Sequence, residues 1–158
     1  MSADQSRTDQ SPTAPSRSGQ ADSGEKELTI LVYSDDRATR ENIRLALGRK
    51  VATDLPTIRV VECATQAAVV TSMDAGGVDL AIFDGEAVPV GGLGLCREVK
   101  DEIYNCPPVL VMIMREQDVW LATWSRADGA VAHPVDPVRL PNAVADLLRR
   151  SRAHAVSG

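Results

Sequence analysis

The sequence predicts an α/β fold, a doubly wound five-stranded parallel sheet with helices on both faces. Three observations lead there. Short runs rich in Val, Ile and Leu alternate with longer helix-like stretches from Leu28 to Arg150. The strand-like runs are apolar at consecutive positions, as strands covered on both faces are. Apolar residues make up 44% of the 158-residue chain, enough for one core of ordinary size. Aromatics supply only 3%, so Val, Leu, Ile, Ala and Met must fill that core.

Residues 1–27 are rich in Ser, Asp, Gln, Thr, Pro and Gly. They hold little that could enter a core, cannot offset their ordering entropy, and are expected to form a disordered tail. Leu28 to Tyr33 reads as the first strand. Asp36 is placed to cap a helix from Ala38 to Val51, with Ile43, Leu45, Ala46 and Leu47 as its apolar positions. Thr57 to Cys63 has the β-branched content of a second strand. A helix from Gln66 to Met73 ends at Gly76-Gly77. Val78 to Phe83 is the third strand. A loop containing Pro89, Gly91 and Gly92 leads to a helix from Leu93 to Glu102. Pro107-Pro108 stops it, and Val109 to Met114 is the fourth strand. A helix over Val119 to Arg126 precedes a fifth strand at Gly129 to Ala132. The last helix runs from Pro137 to Arg150, and residues 151–158 are expected as a short C-terminal tail. No internal repeat is visible, and neither a second domain nor an output domain is expected.

The net charge of −5 argues against nucleic-acid binding, which calls for a basic patch. No apolar run reaches the roughly 18 residues that a membrane span needs. The N-terminus shows no apolar signal segment. A cytoplasmic protein without direct membrane insertion is therefore expected. Cys63, Cys96 and Cys106 form no CxxC pair and read as reduced, mostly buried thiols.

Three acids carry the chemistry. Asp35 and Asp36 follow the first strand and Asp84 ends the third, so the topology gathers them at the carboxyl edge of the sheet, where ligands bind in such folds. Like charges there raise one another's pKa, and a divalent cation such as Mg2+ would relieve them. A carboxylate can also take a phosphoryl group as an aspartyl phosphate.

These strings resemble the response-regulator receiver family from Leu28 to Arg150. LVYSDD is similar to its first strand and acid pair, LAIFDGEAVPVGGLGL to its phosphoacceptor strand and loop, and AHPV to its lysine-proline step. The resemblance implies the flavodoxin-like strand order 2-1-3-4-5. It implies Asp84 as phosphoacceptor and Asp35, Asp36 and Asp84 as Mg2+ ligands, with the backbone carbonyl of Glu86 completing the set. Gly92 matches the family glycine eight residues beyond the aspartate. Departures are equally plain. Ile113 stands where the family has a switch Thr or Ser, Ala130 where it has a switch aromatic, and His133 where it has lysine. Pro89 lies five residues past Asp84, where four is usual. Such a chain resembles the pseudo-receivers, whose shape does not depend on phosphate.

Gly91-Gly92-Leu93-Gly94 lacks the spacing and position of a dinucleotide loop and reads as a flexible lead into a helix. His133 has no second His or Cys at ligand spacing, which argues against a metal ligand, and the receiver resemblance, which sets it near Asp84, implies an ion pair between the two. Trp120 and Trp124 lie four apart on one helix face. They either pack on the sheet or stand exposed as interface anchors. Arg149, Arg150 and Arg152 favour the last helix's dipole.

The resemblance leaves two readings of function. One is a non-enzymatic interaction module, an accessory or regulatory subunit docking on a larger complex. The overall string is most similar to orphan receiver-like proteins that accompany respiratory NADH–quinone oxidoreductase (complex I), which implies a peripheral place on the cytoplasmic side. The other is a single-domain response regulator phosphorylated on Asp84 by a histidine kinase with Mg2+. A flavin-binding alternative shares the topology, but SDDRAT would present acids to an anionic phosphate.

Overall fold

The computed structural model of the chain describes residues 26–157. The tail expected over residues 1–27 lies outside them, apart from Lys26 and Glu27, which lead into the first strand. The elements are β1 (Leu28–Tyr33), α1 (Arg37–Leu47), β2 (Ile58–Cys63), α2 (Gln66–Ala75), β3 (Leu80–Asp84), α3 (Gly92–Glu102), β4 (Val109–Ile113), α4 (Val119–Ser125), β5 (Gly129–Ala132) and α5 (Arg139–Ser157). A single 3-10 turn, Glu116–Asp118, precedes α4. All pairings are parallel and the strand order is β2-β1-β3-β4-β5, as expected.

Side chains on a strand point alternately to the two faces, so each strand feeds two cores. Ile30, Val32, Ile82, Leu110 and Met112 meet Ile43 and Leu47 of α1 and Leu140, Val144 and Leu148 of α5. Leu31, Tyr33, Phe83, Val111 and Ile113 meet Val69 and Met73 of α2 and Leu95 and Val99 of α3. Burying each such aliphatic side chain contributes roughly 1.5–3 kcal/mol. The three cysteines belong to the α2–α3 side and are free thiols. Burial pushes the Cys96 thiol up to about 11, which leaves it inert.

The amino ends of the strands are pinned by carboxylates. Thr29 N–H donates to Asp79 Oδ2 and Val109 N–H to Asp128 Oδ2, both at 2.7 Å.

Two helices differ from the sequence-based expectation. Helix α1 stops at Leu47 instead of reaching Val51, because Gly48 turns the backbone to φ +64° and closes on the Arg44 carbonyl. Leu45, expected among its apolar positions, is exposed, whereas Val51 and Leu55 of the following loop enter the core. Helix α5 runs on through Ser157, so residues 151–157 continue the helix instead of forming a tail. No Gly or Pro interrupts it after Pro141, and Arg149 ties it to Asp54 through two hydrogen bonds of 2.8 and 3.0 Å. No helix among the described residues is long and apolar enough to cross a membrane.

Candidate functional site

Parallel pairing sets the carboxyl ends of β1, β3, β4 and β5 side by side, and register decides which residues meet there. Tyr33 pairs with Phe83, so Ser34 and Asp84, the next residues on each chain, become neighbours. Asp84 pairs with Met112 and Ile113 with Ala132, which brings His133 to the same edge. The loop over residues 85–91 folds back across it. Gly85 N–H donates to the Met112 carbonyl at 2.8 Å, and the buried Tyr33 hydroxyl donates to the Val90 carbonyl at 2.5 Å. Two positions here admit no side chain. A Cβ on Gly85 would lie 2.5 Å from the Met112 carbonyl oxygen, and one on Gly92 would lie 2.5 Å from that of Asp84.

Asp84 is only 3% exposed. Its Oδ2 accepts from Ser34 Oγ at 2.7 Å, and its Oδ1 accepts from the Glu86 N–H at 2.9 Å and from His133 Nε2 at 2.8 Å. Burial works to raise its pKa, but these donors, His133 foremost, outweigh burial and hold the carboxyl below its ordinary value. The same bond raises the His133 pKa against desolvation, with the charges of Asp84 and Glu86 adding to it. The expected pairing is present in the geometry, and it is an ion pair whenever the imidazole is protonated. Ser34, Asp84 and His133 are not a nucleophile triad. The serine hydroxyl donates to the carboxylate and not to the imidazole, so no base stands ready for its proton.

The other two acids are engaged elsewhere. Asp36 caps α1, accepting from the Ala38 N–H at 3.2 Å and from Thr39 Oγ1 at 2.8 Å, as its position predicts. Asp35 accepts from the Val88 N–H at 2.9 Å and so ties the loop after β1 to the loop after β3. Both are exposed, as is Glu86. Among the described residues no group of three His, Cys, Asp or Glu side chains comes together to hold a metal ion.

No family model matches the chain. Curated relatives do. A protein described as an uncharacterized response regulatory protein of Mycobacterium tuberculosis, found in strains H37Rv and CDC 1551, is 54% identical over 122 residues, covering 77% of this chain and 92% of the relative. The chain belongs to the response-regulator receiver family. Solved receivers share its fold. The CheY-like receiver domain protein of Methanospirillum hungatei JF-1 is 17% identical, with 82% of this chain and 99% of that one covered at a TM-score of 0.66. A two-component response regulator from Clostridium difficile is 20% identical, with 79% and 98% covered at 0.65.

Receivers of this family typically use Mg2+, and the donor set here can be tested against it. Mg2+ takes hard oxygen ligands in near-octahedral array, usually one or two carboxylates with several waters. In this receiver both Asp84 oxygens already accept hydrogen bonds, Asp35 holds the Val88 N–H, Asp36 holds the helix end, and the neighbour of Asp84 is a neutral hydroxyl. As arranged, the residues do not fit the ion. Sequence reasoning missed Ser34. The strand register would have found it, since residue 34 pairs one step beyond Tyr33 and Phe83.

The residues that the resemblance reads as substituted switch positions lie on β4 and β5. Ile113 is buried in β4, Ala130 is half-buried in β5, and neither side chain can donate a hydrogen bond. The two tryptophans do not pack on the sheet. Trp120 is 63% and Trp124 48% exposed, with Ala122 and Ser125 taking the inward face of α4. The Arg97 guanidinium lies 5.1 Å from the Trp124 ring centroid and donates to the Trp124 carbonyl at 2.6 Å. Met114, Val119 and Val138 are further exposed apolar side chains, Val119 on α4 itself.

Proposed function

We propose that this receiver works as a non-enzymatic, phosphate-independent interaction module, an accessory or regulatory subunit of a larger complex. One observation carries the reading. The phosphoacceptor candidate is closed from within, its carboxylate hydrogen-bonded by Ser34, His133 and the Glu86 N–H, with no hydroxyl at Ile113 and no aromatic at Ala130 to relay a change. The docking face is the exposed pair Trp120 and Trp124, since Trp concentrates binding energy at interfaces. The sequence resemblance makes respiratory NADH–quinone oxidoreductase the candidate partner. That would seat the protein at the cytoplasmic face of the cell membrane through a protein contact.

The second reading, phosphorylation of Asp84 by a histidine kinase with Mg2+, is favoured by the retained carboxylate at the end of β3. A native pull-down of the tagged full-length protein from detergent-solubilised cells separates the two. The docking module retrieves the same large complex as wild type and as Asp84→Asn. Loss of the complex in Asp84→Asn, or retrieval of a histidine kinase instead, establishes the second reading.

A further inference from the structure

We infer that Ser34 is the residue that decides whether the Asp84 pocket takes a divalent cation, and that in this chain it excludes one. The inference rests on the phosphate-independent reading and names the residue responsible. Ser34 is fully buried and its hydroxyl is fixed. Oγ donates to Asp84 Oδ2 at 2.7 Å and accepts from the Asp36 N–H at 3.1 Å. The Ser34 carbonyl accepts from Arg40 Nη1 at 2.7 Å, which holds the backbone in place. Position 34 is thus the one that register sets against Asp84, and it carries no charge.

The chemistry follows from the donor set. A hard dication is held through carboxylate oxygens that point to it, with waters and carbonyls completing its shell. A carboxylate at position 34 would place a second negative charge beside Asp84, and that pair would be destabilised until a cation entered. A hydroxyl reverses the situation, because it donates its proton to the lone pair that a cation would use. His133 and the Glu86 N–H take up the other oxygen of Asp84. Asp35 Oδ1 already holds the Val88 N–H, and Asp36 spends both its oxygens on the start of α1. The pocket is therefore neutralised by protein donors in place of a metal.

The test compares full-length wild type, Ser34→Asp and Ser34→Asn by thermal unfolding in EDTA and in excess Mg2+, with bound Mn2+ counted by electron paramagnetic resonance. Ser34→Asp should melt below wild type in EDTA, rise by about 5 °C with Mg2+, and bind one Mn2+ per chain, because a ligand that binds the native state raises its stability. Wild type and Ser34→Asn should show no shift and bind no Mn2+ at the pocket. The inference is overturned if wild type binds Mn2+ in a manner lost in Asp84→Asn, a result that stands even if Ser34→Asp does not fold. It is overturned equally if folded Ser34→Asp binds no Mn2+. The pull-down with Asp84→Asn reads the docking function separately, so failure of one idea is distinguishable from failure of the other.

Discussion

Asp84 keeps a negative charge at a position that is 3% exposed, and its stability there depends on the donors around it. The His133 bond is the charged one, so it sets the pH behaviour of the fold. His133 is raised above 6.5 in the folded state, so its contribution is complete below that value and is lost as pH rises through the raised pKa. Asp84 is lowered below 3.8, so its contribution is present above that value and is lost as pH falls through the lowered pKa. The pair therefore stabilises the domain most between about pH 4 and 6.5. Replacing His133 by Gln should lower stability in that window by about 2 kcal/mol and flatten the decline above it. Urea unfolding at a series of pH values measures both, and an unchanged pH profile in His133→Gln would mean that the pair does not form.

At the scale of elements, two local devices hold the site without belonging to its chemistry. Asp36 caps α1. Asp36→Ala should therefore cost about 1 kcal/mol, as a lost N-cap does, while the environment of Asp84 stays as it is. Chemical denaturation reads the loss, and the His133 imidazole resonances report whether the pocket has moved. The start of α3 works by close approach. Gly92→Ala puts a Cβ 2.5 Å from the Asp84 carbonyl oxygen, which is backbone and cannot swing aside. A loss of about 1–3 kcal/mol is expected, with broadening of the residue 85–91 amides in the NMR spectrum. A Gly92→Ala variant as stable as wild type would show that the loop can retreat from β3. The same logic explains helix ends. Gly48 and Gly76 sit at φ +64° and +80°, where an L side chain is strained, and each terminates its helix within a residue.

At the scale of the whole molecule, the outward tryptophans should matter for partners and not for folding. Trp120→Ala and Trp124→Ala should each change stability by less than about 1 kcal/mol, because the exposed rings support little of the core, while weakening retrieval of the partner complex. Thermal melts alongside the pull-down test both halves, and a large loss of stability would mean that the rings are structural. Much of this molecule was legible in the sequence. Two-sided apolar runs marked β1, β3 and β4 as buried strands, and β-branched content marked β2. Asp84 and the Asp36 cap followed from position along the chain, and the His133 pairing from the family resemblance. Tertiary structure decided the rest. The string Ser34-Asp35-Asp36 offers three polar residues in a row, and nothing local tells which one lies beside Asp84. That is fixed by the register between β1 and β3, strands whose paired residues are fifty apart, where a slip of one would exchange a hydroxyl for a carboxylate. Likewise, a spacing of four puts Trp120 and Trp124 on one helix face, but only the burial of Ala122 and Ser125 turns that face outward.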